Sequence, residues 1–160
     1  MKKIIVMSRV RAEEAVCDLP WAAISISERQ HPELSKENRI GLLQVKFHDI
    51  DFASDNYITF NKNHAQQILD FAKNIWDKAD ILLVHCEAGL SRSAATAAAL
   101  SKIYFGTDEE FFKYPYTPNM LIYRTILNLH HGVPVPVPKP RPPEPTEDDM
   151  EEWATLTDLF

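Results

Sequence analysis

Cys86 and Arg92 stand six positions apart in the run His85-Cys86-Glu87-Ala88-Gly89-Leu90-Ser91-Arg92-Ser93, with Gly89 midway and a hydroxyl directly after the arginine. Each residue type suits one task in phosphoryl transfer. The thiolate is the reactive form of cysteine, and a helix N-terminus and a nearby cation both favour it. Arginine presents a planar fork that holds two phosphate oxygens at once, which lysine cannot do. Gly89 permits a turn that aims the backbone amides of Glu87, Ala88, Gly89, Leu90, Ser91 and Arg92 at one point. The Ser93 hydroxyl can donate to sulfur. Charge developing on a transferring phosphoryl group then meets donors already in place. A plain core thiol beside a surface arginine needs neither the glycine nor the hydroxyl at these offsets.

Such residues need elements that hold them. The apolar run Ile81-Leu82-Leu83-Val84 precedes them and reads as a buried strand, while Ala94-Ala95-Thr96-Ala97-Ala98-Ala99-Leu100 follows as a strong helix former. Strand, tight loop and helix bring amides and a positive helix end to one place, where an anion binds. Elsewhere residues 3–7 read as a strand, 11–17 as a short helix, 21–27 as a strand, 31–41 as loop and 42–48 as a strand. Residues 48–55 form an acidic loop. Ala65, Ile68, Leu69, Ala72, Ile75 and Trp76 recur at helical spacing and predict a helix over about 61–78. Thr107-Asp108-Glu109-Glu110 has the form of a capping box opening a helix. Thr117-Pro118 suits an N-cap and first helical residue, with Gly132 ending that helix. The alternation predicts an α/β fold, a parallel-rich central sheet flanked by helices.

The run around Cys86 resembles the signature of the cysteine-dependent protein tyrosine phosphatases, His-Cys-x-x-Gly-x-x-Arg-Ser/Thr. Its form here, Cys-x-x-Gly-x-Ser-Arg-Ser, is most similar to the dual-specificity branch and its small prokaryotic members. Low-molecular-weight phosphatases and arsenate reductases carry the loop near the N-terminus, rhodanese-like phosphatases lack this ending, and phosphoinositide phosphatases usually place lysines in the loop. The resemblance implies a phosphatase-like catalytic domain over residues 1–131. It implies nucleophile Cys86, a phosphocysteine intermediate, phosphate-binding Arg92, His85 organising the loop from below, and neither metal nor other cofactor. It also implies an aspartate general acid on an upstream loop. Asp49, Asp51 and Asp55 are the candidates. Asp49 is preferred because it directly follows a strand end, as the family's acid does, although the family's spacing is nearer that of Asp51 or Asp55. The implied substrate is a phosphorylated protein or peptide carrying phosphotyrosine, with phosphoserine and phosphothreonine as further candidates. The alternatives are a phosphate-binding adaptor and a phosphatase for a small phosphorylated metabolite or a nucleic-acid 5′ end.

Composition sets the remaining bounds. The chain has 160 residues, two cysteines and a net charge of −6. Two thiols make no disulfide framework; Cys17 is either a core thiol or a redox partner of Cys86. His64, His130 and His131 show no metal-ligand grouping, and His48 reads as a surface residue beside the acidic loop. The apolar stretch after Met1-Lys2-Lys3 is too short for a signal peptide, and no segment reaches membrane-spanning length, so a cytoplasmic protein without a membrane partner is expected. Most of the negative charge lies in residues 132–160, and the nearly neutral body offers no nucleic-acid surface. That tail holds seven of the eleven prolines between Pro134 and Pro145, then an acidic end with Trp153, Leu156, Leu159 and Phe160. It reads as a polyproline spacer whose weakly helical end packs on its own domain, or as a docking segment for a protein partner or a second copy.

Overall fold

The strand that carries Cys86 is an interior one. In the computed structural model, which describes residues 1–157, β4 (Ile81–Cys86) lies between β1 (Lys3–Ser8) and β2 (Trp21–Ser27). β3 (Arg39–Lys46) pairs with the far side of β2, giving the order β1-β4-β2-β3 with every pairing parallel. Parallel strands covered on both faces read as unbroken apolar runs rather than alternating ones. All seven residues of β2 are buried accordingly.

Alternate residues of these strands serve two layers. Ala22, Ile24, Leu82, Val84 and Cys86 join the larger core, with Ala65, Ile68, Ala72 and Ile75 of α2 (Lys62–Ile75) and Ile122 and Ile126 of α4 (Met120–His131). Ala23 and Leu83 face the other way, against Ala12 of α1 (Arg9–Glu14) and Leu34. Helix α3 (Arg92–Phe105) lies against the sheet and is buried without a break from Arg92 to Ser101. A helix apolar all round belongs in a core, and its alanines let neighbouring backbones approach closely.

Several boundaries differ from expectation for local reasons. α1 begins at Arg9 because the Ser8 side chain accepts from the Arg11 amide at 3.3 Å. β3 starts at Arg39, inside the predicted loop, because β2 offers a free edge from Trp21 onward. α2 ends at Ile75 and not at residue 78. The capping box at 107–110 does not form: Thr107 Oγ1 accepts from the Glu109 amide at 3.5 Å and not from that of Glu110, and Glu109–Phe112 is a single 3-10 turn. α4 is capped by Asn119, whose side chain accepts from the amides of Leu121 and Ile122 at 3.1 and 3.4 Å; Pro118 lies before the cap. Gly132 ends that helix at φ 70°, in the left-handed conformation glycine tolerates.

The tail also differs. Its prolines lie beside the acidic loop, with an isolated bridge between Ala53 and Pro140. The acidic end forms α5 (Glu147–Thr157), which buries no residue, so its expected packing on the domain is not found. The apolar end positions Leu159 and Phe160 lie outside the described residues. Among those described, no helix is long and apolar enough to cross a membrane.

Candidate active site

The loop between β4 and α3 is gripped from both sides. The Arg9 amide donates to the Glu87 carbonyl at 3.0 Å, and the amides of Thr117 and Asn119 donate to the carbonyls of Leu90 and Ser91 at 2.9 and 3.3 Å. Gly89 adopts φ +72°, and a Cβ there would meet the Ser8 nitrogen at 2.5 Å and the Met7 carbonyl carbon at 2.6 Å. Both the turn and the packing of the loop on β1 therefore require glycine.

Cys86 is 2% exposed at the end of β4. Its Sγ receives the Gly89 amide at 3.3 Å and stands 3.1 Å from Ser93 Oγ. Ser91 precedes α3 yet makes no side-chain cap. Its hydroxyl turns instead to Asp49 Oδ1, at 2.9 Å. The first-turn amides of α3 are thus left without that acceptor, an arrangement that receives anions. Arg92 is buried, and its Nη1 donates to the Phe47 carbonyl at 2.9 Å and to the Glu28 carboxylate.

His85 is fully buried under this loop. Its Nδ1 lies 3.2 Å from the Cys86 carbonyl, and its Nε2 lies 2.6 Å from Ser25 Oγ. A carbonyl only accepts, so Nδ1 carries the ring proton and Nε2 accepts from Ser25. With its proton so used, Ser25 accepts from His31 Nδ1 at 2.9 Å. Burial pushes the titration of both histidines below the ordinary value, and the Arg9 charge adds to this for each.

The three acid candidates are placed differently. Asp49 Oδ1 accepts from both Ser91 Oγ and Asn119 Nδ2, the latter at 3.0 Å, which ties it to the loop. Asp49 and Asp51 line an open cleft of about 380 Å³ with Phe52, Ser91 and Asn119. Among the described residues, neither Asp51 nor Asp55 hydrogen-bonds the 86–92 loop. His48 is half-buried, not a free surface group, and its Nδ1 accepts from the Ile58 amide at 2.9 Å.

Sequence reasoning missed Glu28, Ser25 and Asn119. Burial tends to raise the pKa of Glu28, but the hydrogen bond and charge of Arg92 hold it below the ordinary carboxylate range. The available signal for Glu28 was its place directly after β2, since ligands of parallel sheets gather at the carboxyl ends of strands. The Glu87 side chain points away from the sulfur, to Arg29 at 2.9 Å. Cys17 lines an apolar cavity of about 190 Å³ with Met7, Trp21 and Leu83, on the opposite sheet face from Cys86. Both thiols are free, and the sheet separates them, so the redox-partner alternative does not hold. Among the described residues no three His, Cys, Asp or Glu side chains converge as metal ligands.

No family model and no curated protein sequence matches the chain. Solved structures do. A human tyrosine phosphatase-like serine/threonine/tyrosine-interacting protein aligns with TM-score 0.57 at 17% identity, over 80% of this chain and 91% of that one. PTPMT1, solved in complex with PI(5)P, aligns with TM-score 0.55 at 16% identity, over 81% and 90%. Human DUSP28 aligns with TM-score 0.52 at 14% identity, over 81% and 92%. The chain therefore has the fold of the dual-specificity and tyrosine phosphatases, in agreement with the resemblance of its loop.

Proposed function

We propose that this protein is a phosphatase that hydrolyses phosphoric monoesters, phosphotyrosine in proteins or peptides first among them, through a phosphocysteine on Cys86. One observation carries the reading: the Cys86 sulfur, with the Gly89 amide at 3.3 Å and Ser93 Oγ at 3.1 Å, sits at the uncapped N-terminus of α3 beside the buried Arg92. In this reading the amides of residues 87–92 and the Arg92 fork cradle the phosphoryl oxygens. Sγ attacks phosphorus, and the ester oxygen departs with a proton from Asp49. Water then cleaves the S–P bond, releasing phosphate and restoring the sulfur, with Asp49 taking a proton from that water. Both donors to Asp49 meet Oδ1, so Oδ2 is the oxygen open to a proton.

A binder of phosphorylated partners needs the cradle but not the sulfur or the hydroxyl beside it, so the pairing of Cys86 with Ser93 favours the enzyme over the adaptor. The test compares wild type with Cys86→Ser on phosphotyrosine, phosphothreonine and inositol phosphate compounds. Serine is a far weaker nucleophile at neutral pH, so turnover is expected to vanish while phosphate binding persists. Full activity in Cys86→Ser would overturn the mechanism. Fastest turnover on the inositol phosphates would move the substrate class from proteins to small phosphorylated molecules.

A further inference from the structure

The acidic loop has a problem that its sequence does not solve. Residues 47–61 contain no helix or strand, only the isolated bridge at Ala53, yet a proton donor must be held to within a fraction of an ångström. The base of the loop is closed by its own bonds: the His48 amide donates to the Ile58 carbonyl at 2.8 Å, and the Ile58 amide donates back to His48 Nδ1 at 2.9 Å. Asn119 Nδ2 pins the near side, to Asp49 Oδ1 at 3.0 Å and to the Ile50 carbonyl at 3.1 Å. Thr59 Oγ1 donates to the Phe52 carbonyl at 2.8 Å. The outer side, around Asp51 to Ala53, would otherwise face solvent.

What meets it is the proline-rich tail. The Ala53 amide donates to the Lys139 carbonyl at 2.9 Å. The Arg141 guanidinium lies over the Phe52 ring, 5.6 Å from its centre. The tail is anchored upstream by α4, where Asn128 Nδ2 donates to the Pro134 carbonyl at 3.0 Å and the Val133 amide donates to the Asn128 carbonyl, also at 3.0 Å. Prolines suit this role. They pre-set an extended backbone, so little conformational freedom is lost on docking, and their carbonyls accept without the ribbon offering a full strand edge.

We propose that residues 134–141 are a positioning strut for the general-acid loop. The tail ties Phe52 and Ala53 to the C-terminal end of α4 and thereby fixes the carboxylate over the 86–92 loop. The inference rests on the phosphatase reading given above. On it the tail is a working part of the site and not a spacer, and its residues touch no reacting atom.

The test uses the full chain and two variants, Arg141→Gln and Asn128→Asp/Arg141→Gln. Both leave the residues of the 86–92 loop intact, and Arg141 is exposed, so folding is not at stake in the single variant. Two quantities are measured: amide hydrogen exchange at Ala53, and kcat/KM on an activated aryl phosphate against a phosphothreonine peptide. A strut predicts faster Ala53 exchange by roughly tenfold in the double variant. It also predicts a loss of roughly fivefold or more on the phosphothreonine peptide with little loss on the aryl phosphate, whose leaving oxygen needs little protonation. Equal losses on both substrates would mean that the tail only stabilises the fold. Unchanged exchange would show that the tail does not hold the loop, and faster exchange with unchanged rates would show that holding it does not matter for catalysis; each overturns the strut. If wild type shows no Cys86-dependent hydrolysis of any substrate, the phosphatase reading fails and the catalytic role falls with it. The exchange measurement still reports separately on the tail–loop contact.

Discussion

At the scale of residues, the site is a set of shared donors and acceptors, and two of them decide chemistry. Asp49 accepts from Ser91 of the loop and from Asn119, whereas Asp51 lines the same cleft and, among the described residues, makes no hydrogen bond to that loop. If Asp49 protonates the leaving group, Asp49→Asn should reduce kcat at least tenfold on a phosphothreonine peptide and much less on an activated aryl phosphate. Asp51→Asn should leave that dependence in place; should it alone show the dependence, the acid sits two residues further along. Glu28 is the counter-ion of the buried Arg92. Glu28→Gln should lower stability by about 1–3 kcal/mol, the range for a charged hydrogen bond lost at a partly buried site. A phosphate or vanadate ion would then supply the missing negative charge, so its binding should raise the thermal midpoint more in Glu28→Gln than in wild type. An equal or smaller rise would mean that Glu28 and the anion do not compete for Arg92.

At the scale of elements, His64 and His85 each accept a hydrogen bond that they keep only while neutral. His64 Nδ1 accepts from the Asn61 amide at 3.0 Å and completes the capping box of α2, while His85 of β4 and His31 bracket Ser25 of β2. Burial pushes all three below the ordinary value of 6.5. The unfolded chain therefore binds more protons than the native one between those lowered values and about 6.5. Their contribution to stability is fully present above 6.5 and is lost as pH falls through the lowered values. Glu28, held below 4.5, adds a loss of the same sign at still lower pH. Urea midpoints should fall on going from pH 7.5 to 5.5, and His64→Gln should show a shallower fall. A midpoint that rises on acidification would contradict this assignment of proton positions.

At the scale of the whole molecule, the tail is two things. Residues 134–141 touch the acidic loop, whereas α5 buries nothing and leaves Met150, Trp153 and Leu156 at 54%, 59% and 51% exposure. Removing residues 147–160 should therefore leave the thermal midpoint within about 2 °C of wild type, with kcat/KM unchanged. A drop beyond about 4 °C, on the order of 1–2 kcal/mol for a chain of this size, would mean that α5 contributes to the fold. Removal from residue 134 onward should, by contrast, reproduce the leaving-group-dependent loss expected of the strut variants.

The loop that carries Cys86, Gly89, Arg92 and Ser93 was legible in the sequence because its geometry is local. Nine contiguous residues, a preceding apolar run and a following alanine-rich run are enough to specify strand, turn and helix. The parallel-rich sheet was legible for a similar reason, since alternating apolar runs and helical periods leave few other ways to bury both strand faces. Periodicity does not encode which strand lies beside which. The order β1-β4-β2-β3 places the carboxyl ends of β2 and β4 side by side, and only then do Glu28 and Arg92 meet across 64 positions of chain, and Ser25 and His85 across 60. Cap choice was likewise decided by competition. Asn119 displaced Thr117 as the cap of α4, while Ser91 gave up capping α3 to bond Asp49, and neither outcome is readable without knowing what stands opposite. The docking of residues 134–141 on the acidic loop belongs to the same class. Composition determined that the tail would be extended, and tertiary structure alone decided that it would lie against Phe52 and Ala53, because α4 ends where a polyproline strand can reach them.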